Sequence, residues 1–153
     1  ELAQGMNLPE NRALSTAQTA AVEQAKKIQA NDRIRGMKLL PREIREPLPA
    51  LYSQDGKGSK AICYVKFFTP DSGWTWYVLE GEPLLDSSDR EVDFKFFGLV
   101  EGHDKELGYF MLSELESVRG PMGLPIERDL WFNPKALEEI APDLYRKESN
   151  DEA

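Results

Sequence analysis

The sequence predicts an α+β fold: a single, mainly antiparallel sheet of about five strands, with short flanking helices and an N-terminal helix. Apolar and aromatic runs of strand length crowd the middle of the 153-residue chain, separated by turn-forming clusters, while helical signals lie toward its ends. Long helices do not alternate with the strands, which argues against a parallel nucleotide-binding sheet. A hydrophobic share of 41% with 10% aromatics is enough for the core of one domain at this length.

Residues 1–14 read as a polar lead-in containing Gly5, Pro9 and Asn11. Ser15 with Gln18 three residues on is a capping-box pattern, and Ala17, Ala20, Ala21, Val22, Ala25 and Ile28 follow, predicting a helix over about 16–31. Alanine supplies propensity but little buried area, so this helix needs a partner surface. Pro41 suits a first helical position, and Pro47 with Pro49 stops the chain. A short helix over about 41–46 and an extended piece from Pro47 to Tyr52 are expected, then a glycine-rich polar loop, Gln54–Lys60.

Ala61–Phe68 is a run of β-formers interrupted only by Lys66, and Thr69–Gly73 is a turn by composition. Trp74–Leu79 completes a hairpin, with Trp74 and Trp76 on one face and Thr75, Tyr77 and Leu79 on the other. Gly81–Arg90 is predicted as a loop, Val92–Val100 as an alternating strand, Gly102–Lys105 as a turn and Glu106–Leu112 as the fourth strand. Ser113 with Glu116 caps a short helix that Gly120-Pro121 ends. Ile126–Phe132 is the fifth extended piece. Asn133-Pro134 reads as a cap and a first helical proline opening a helix over about 134–141, which Pro142 closes; the tail from Glu148 is expected to fray.

Charge divides the chain. Of 19 Lys+Arg and 27 Asp+Glu, residues 1–60 hold 10 basic and 7 acidic, and residues 61–153 hold 9 and 20. The step predicts an N-terminal extension or linker with one helix over 1–36, an α+β domain over 37–147 and a disordered tail over 148–153. A net charge of −8 argues against generic nucleic-acid binding and leaves contact with phosphate to the basic stretch 26–45, whose plainer reading is a solvated helix. One cysteine, Cys63, excludes an intramolecular disulfide, and one histidine, His103, excludes a zinc site built from several His and Cys ligands. No apolar run approaches the ~20 residues of a membrane span, so no membrane contact is expected, and the single cysteine fits a reducing compartment.

Several residues could carry chemistry. Glu127 and Asp129 share one face of the predicted fifth strand while Arg128 points with the apolar set. Two such carboxylates could hold a divalent metal if Glu80, Glu106 or Asp71 joined them. The plainer reading is a solvated face or an Arg128–carboxylate pair. His103 could act as a general acid, though an exposed turn histidine is the simpler account. Trp74 and Trp76, near Tyr77, could grip a partner's apolar anchor, or they could pack in the core. Asp55–Lys60 lacks the spacing of a phosphate-binding loop, and Cys63 lies in an apolar strand as a small hydrophobe.

Four segments in this order resemble an uncharacterised bacterial family, the domain of unknown function numbered 2958. They are Lys38-Leu-Leu-Pro-Arg-Glu-Ile, then Tyr64 through Trp74-Thr-Trp-Tyr77, then Phe96-Phe-Gly-Leu-Val100 through Glu116, and finally Gly123-Leu-Pro-Ile-Glu-Arg-Asp-Leu-Trp-Phe132. The resemblance covers about 37–140. It implies a small cytoplasmic protein of plasmids, phages and integrative elements, some members being joined to anti-restriction or conjugation domains, and it implies no catalytic residue. The expectation is therefore a non-catalytic accessory domain, binding an unidentified protein of DNA transfer or host-defence evasion through Trp74, Trp76, Tyr77 and Arg128, with no cofactor. One alternative is a metal-dependent hydrolase or nuclease drawing on Glu106, Glu127, Asp129 or His103, with the metal on Glu127 and Asp129. A second is an acidic DNA mimic that inhibits restriction.

Overall fold

Among the described residues the strands are β1 (Ile62–Cys63), β2 (Val65–Phe68), β3 (Thr75–Leu85), β4 (Glu91–Glu101), β5 (Lys105–Met111), β6 (Glu127–Arg128) and β7 (Lys135–Ala136). Five make one antiparallel sheet in the order β5-β4-β3-β2-β6, and β1 pairs with β7 in a small second sheet. The helices include α1 (Thr16–Arg35), α2 (Arg42–Arg45), α3 (Leu112–Ser117) and α4 (Leu137–Ile140), with further helical residues at 142–145 and a short 3-10 turn at Gly58–Lys60. This is the α+β architecture expected. The structure, a computed structural model, describes residues 14–145; most of the expected lead-in and the whole expected tail lie outside the described residues.

The pleat sends alternate side chains into two cores. On one face Phe96 is central, its ring 5.7 Å from Phe67, 5.2 Å from Phe94 and 5.3 Å from Phe110. Leu39, Leu115 and Ile126 close this core. Each buried phenylalanine stabilises by about 2–3 kcal/mol over an exposed one, so the four rings outweigh any single polar tie in the molecule. On the other face Cys63, Leu79, Leu99 and Leu137 form the second core beneath Tyr77, Phe97 and Phe132. Burial pushes the Cys63 thiol up to about 12.

The capping box at Ser15 forms as predicted, with Ser15 Oγ and Gln18 Oε1 each accepting the other residue's backbone N–H. The helix then runs to Arg35 instead of stopping near 31, because polar side chains anchor its last turns. Asn31 Nδ2 donates to the Glu116 carbonyl at 2.9 Å, and the buried Arg35 donates to the carbonyls of Ile126 at 2.8 Å and Glu116 at 3.1 Å. These bonds supply the partner surface that the alanines alone could not.

Other boundaries differ for tertiary reasons. The run predicted as one strand over 61–68 divides at Tyr64, with Cys63 in the second core and Val65 in the first, because β1 leaves the main sheet to pair with β7. The predicted loop 81–90 is strand as far as Leu85, and the turn is confined to Asp86–Arg90. Gly81 is needed inside that strand, since a Cβ there would lie 2.5 Å from the Phe94 ring. Pro83 is tolerated because β3 has only β4 beside it at that point. α3 is capped by Glu114, whose carboxylate accepts the Met111 N–H at 2.9 Å, and not by Ser113 with Glu116; Ser113 bonds Asp93 instead. The helix expected over 134–141 shrinks to α4, because Lys135 and Ala136 pair with Cys63 and Ile62, and Pro142 does not end the helical stretch but stands first in a further one that includes 142–145.

Candidate functional site

The predicted fifth strand stops after Arg128, and Asp129 is the cause. Its N–H donates to the Lys66 carbonyl at 2.9 Å, its carbonyl accepts the Phe132 N–H at 3.3 Å, and its Oδ1 accepts the Trp131 N–H at 2.9 Å. The first bond ends the ladder with β2, and the other two close a turn with Leu130 and Trp131 at its two corners. Leu130 is 63% exposed and Trp131 89%. Beside them lies a groove of about 330 Å³, lined also by Met37, Lys66, Phe68, Glu127, Arg128 and Asp129.

Most charges of the groove are tied down. The Lys66 ammonium lies 3.8 Å from Asp129 Oδ2 and 5.8 Å from the centre of the Tyr77 ring. Arg128 Nη1 donates to the carbonyls of Lys38 at 2.8 Å and Leu39 at 2.7 Å, stapling that segment over the edge of β6, and its burial lowers the guanidinium pKa. Beyond the backbone pairing of β6 with β2, the Glu127 carboxylate has no hydrogen bond or ion pair among the described residues, and its charge acts on the buried Arg35.

The carboxylates that a metal-dependent enzyme would need are dispersed. Glu106 stands on β5 and Glu127 on β6, the opposite edges of the sheet. Four inter-strand steps of about 4.8 Å put those edges ~19 Å apart. Glu80 is buried and accepts the N–H groups of Tyr52 at 2.7 Å and Gln54 at 2.8 Å, while Asp71 accepts those of Met122 at 2.8 Å and Leu124 at 3.3 Å. Each of these two fastens a loop. Among the described residues no group of three or more His, Cys, Asp and Glu is placed to hold a metal ion.

The aromatic residues expected to bind are largely packed. Trp74 stacks on Trp76 with ring centres 6.1 Å apart and meets His103 edge-on at 5.6 Å. A Cβ on Gly102 would lie 2.3 Å from the Trp74 ring, so the indole rests on bare backbone there. Trp76 is half-buried against the phenylalanine core. Tyr77 lies 5.9 Å from Phe132 on the other face, where burial raises its hydroxyl pKa. The site thus brings together Glu127, Arg128 and Asp129, leaves Trp74, Trp76, Tyr77, His103 and Glu106 elsewhere, and adds Leu130 and Trp131, which sequence reasoning missed. The available signal was Asp129 two residues before Trp131, the spacing of an Asx-turn.

In the basic stretch 26–45, four of seven cations are in ion pairs: Lys26 with Glu23, Arg35 with Asp32, Arg42 with Glu46 and Arg45 with Glu91. No helix among the described residues is long and apolar enough to cross a membrane.

Fold and site together define a small α+β sheet domain whose charged groups mostly serve as structural ties around an apolar-cornered groove. The chain belongs to the family described as a protein of unknown function, DUF2958, which matches residues 39–141. Neither the curated proteins nor the solved structures compared with the chain yield a match.

Proposed function

We propose that the chain is a non-catalytic protein-binding module whose partner seats an extended, mixed apolar and charged segment in the groove beside Trp131. One observation carries this reading. Turn corners ordinarily hold Gly, Asn, Asp, Pro or Ser, and here the two corners are Leu130 and Trp131, both exposed. The turn gains nothing from their side chains, whereas an exposed indole at the rim of a groove is the common anchor of an interface. The Glu127 carboxylate, with no hydrogen bond or ion pair among the described residues, adds a point for a cation on that segment. The resemblance drawn from the sequence adds the setting: an accessory domain of bacterial mobile elements, acting in DNA transfer or host-defence evasion.

The test is capture of a partner from cells carrying the intact element, followed by titration of the two purified proteins. Trp131→Ala is expected to weaken that complex by about 30-fold or more, the cost of losing a hot-spot aromatic. Equal affinity for both forms would sink the assignment of this groove.

A further inference from the structure

β5 is the last strand on its side of the sheet, and no backbone group of the described residues bonds to its outer edge, only the Met111 N–H at its end being taken, by the Glu114 carboxylate. Such edges are usually blunted by a bulge, a proline, charges or a covering element, because unpaired N–H and C=O groups recruit another strand. β5 has little of this protection. It pairs with β4 in unbroken register from Lys105↔Glu101 to Met111↔Lys95. Its sequence, Lys-Glu-Leu-Gly-Tyr-Phe-Met, holds no proline, and its charges end at Glu106, leaving five uncharged residues. Leu107 and Tyr109 point to one face and are 46% and 48% exposed. We infer that β5 pairs antiparallel with β5 of a second copy of this chain, fusing two sheets into one.

Register is what selects a second copy as the occupant. Side chains alternate between faces, so a two-fold axis normal to the joined sheet must pass through a residue. An axis at Lys105 or at Glu106 would set that charge against its own image, which is destabilising. An axis at Gly108 overlaps all seven residues of both strands. It places Leu107 of each copy opposite Tyr109 of the other, covering the exposed apolar pair, and sets no like charges face to face. A Cβ built on Gly108 would have nothing within 4 Å, so the backbone is open at the axis. Two short strands bury less than the ~1,600 Å² of a standard interface, so association depends on concentration.

Sedimentation equilibrium on the full chain, from about 10 μM to about 1 mM, covers the affinity range of such an interface. The expected result is a monomer–dimer equilibrium, with amide exchange across residues 105–111 slowing as concentration rises. Leu107→Glu brings two carboxylates diagonally together across the axis and should weaken the dimer by about tenfold or more. Its melting temperature at low concentration should match the wild type, and Trp131→Ala should dimerise normally. A monomer at every concentration overturns the inference. So does exchange at 105–111 that ignores concentration, a dimer indifferent to Leu107→Glu, or one that Trp131→Ala dissolves.

Discussion

Trp74 and Trp131 both sit beside turns on the surface, yet they differ in what holds them. Trp74 is 38% exposed and has Trp76 on one side, His103 edge-on and the Gly102 backbone beneath. Trp131 is held by its backbone N–H on Asp129, and its ring stands in solvent. The difference teaches that an aromatic near a turn becomes a candidate for binding only when the fold has no use for its ring. Trp74 is part of the reason that the β2–β3 and β4–β5 turns stay together. Trp131 is not needed for the turn it occupies.

The strongest test of that contrast is Gly102→Ala. Its methyl group would enter the Trp74 ring, 2.3 Å away, and the ring is already clamped from two other sides. Overpacking of this kind costs about 2–3 kcal/mol, to be read from chemical denaturation. A cost near zero would mean that the indole swings away freely, and the two corners would then be alike. Trp74→Ala comes next. It removes the packing without forcing a clash, and partial exposure reduces the full aromatic deletion to about 2 kcal/mol. For a chain of this size that lowers the melting temperature by about 4–8 °C.

The same contrast shows what could be read from residues alone. Alternation from Val92 to Val100 and the capping box at Ser15 were legible because each is a local rule that the tertiary structure reinforces. The continuation of β3 through Gly81 and Pro83 was not, since the glycine answers to the Phe94 ring, a contact between neighbouring strands. The end of α1 was hidden for a similar reason: Asn31 and Arg35 are polar residues used as core anchors, and hydrophobic periodicity cannot register them. At the site, the Glu127–Asp129 block was visible as chemistry. The turn that exposes Leu130 and Trp131 was concealed because their apolar character reads as strand.

Glu116 is an intermediate case, half-buried where α3 meets α1. Its carbonyl is held by Asn31 and Arg35, while burial, with Asp32 adding to it and Arg35 opposing, raises its carboxyl to about 7 from 4.5. Asp93 and Lys38 also face it, with opposite effects. A raised carboxyl favours the protonated form in the folded state. Its contribution is fully present below pH 4.5 and is lost as pH rises through 7. Glu116→Gln should therefore match the wild type near the lower limit and exceed it at pH ~8 by about 1 kcal/mol, after allowance for solvent screening. A stability difference that stays flat with pH would show that the joint admits water as freely as the Trp131 corner does.

The smallest effect belongs to Trp131→Ala, and its smallness is the point. The bond from the Trp131 N–H to Asp129 uses backbone and survives the change, as does the Phe132 N–H to the Asp129 carbonyl. With the ring 89% exposed, almost no packed area is lost, so stability should stay within about 0.5 kcal/mol of the wild type. Matched urea titrations of Trp131→Ala and Trp74→Ala measure both corners on one scale. A loss above ~1 kcal/mol at Trp131 would exceed what an exposed surface substitution costs. It would mean that the indole lies down into the groove and serves the fold, and the weakened partner affinity expected of this variant would then reflect a damaged site and not a missing anchor.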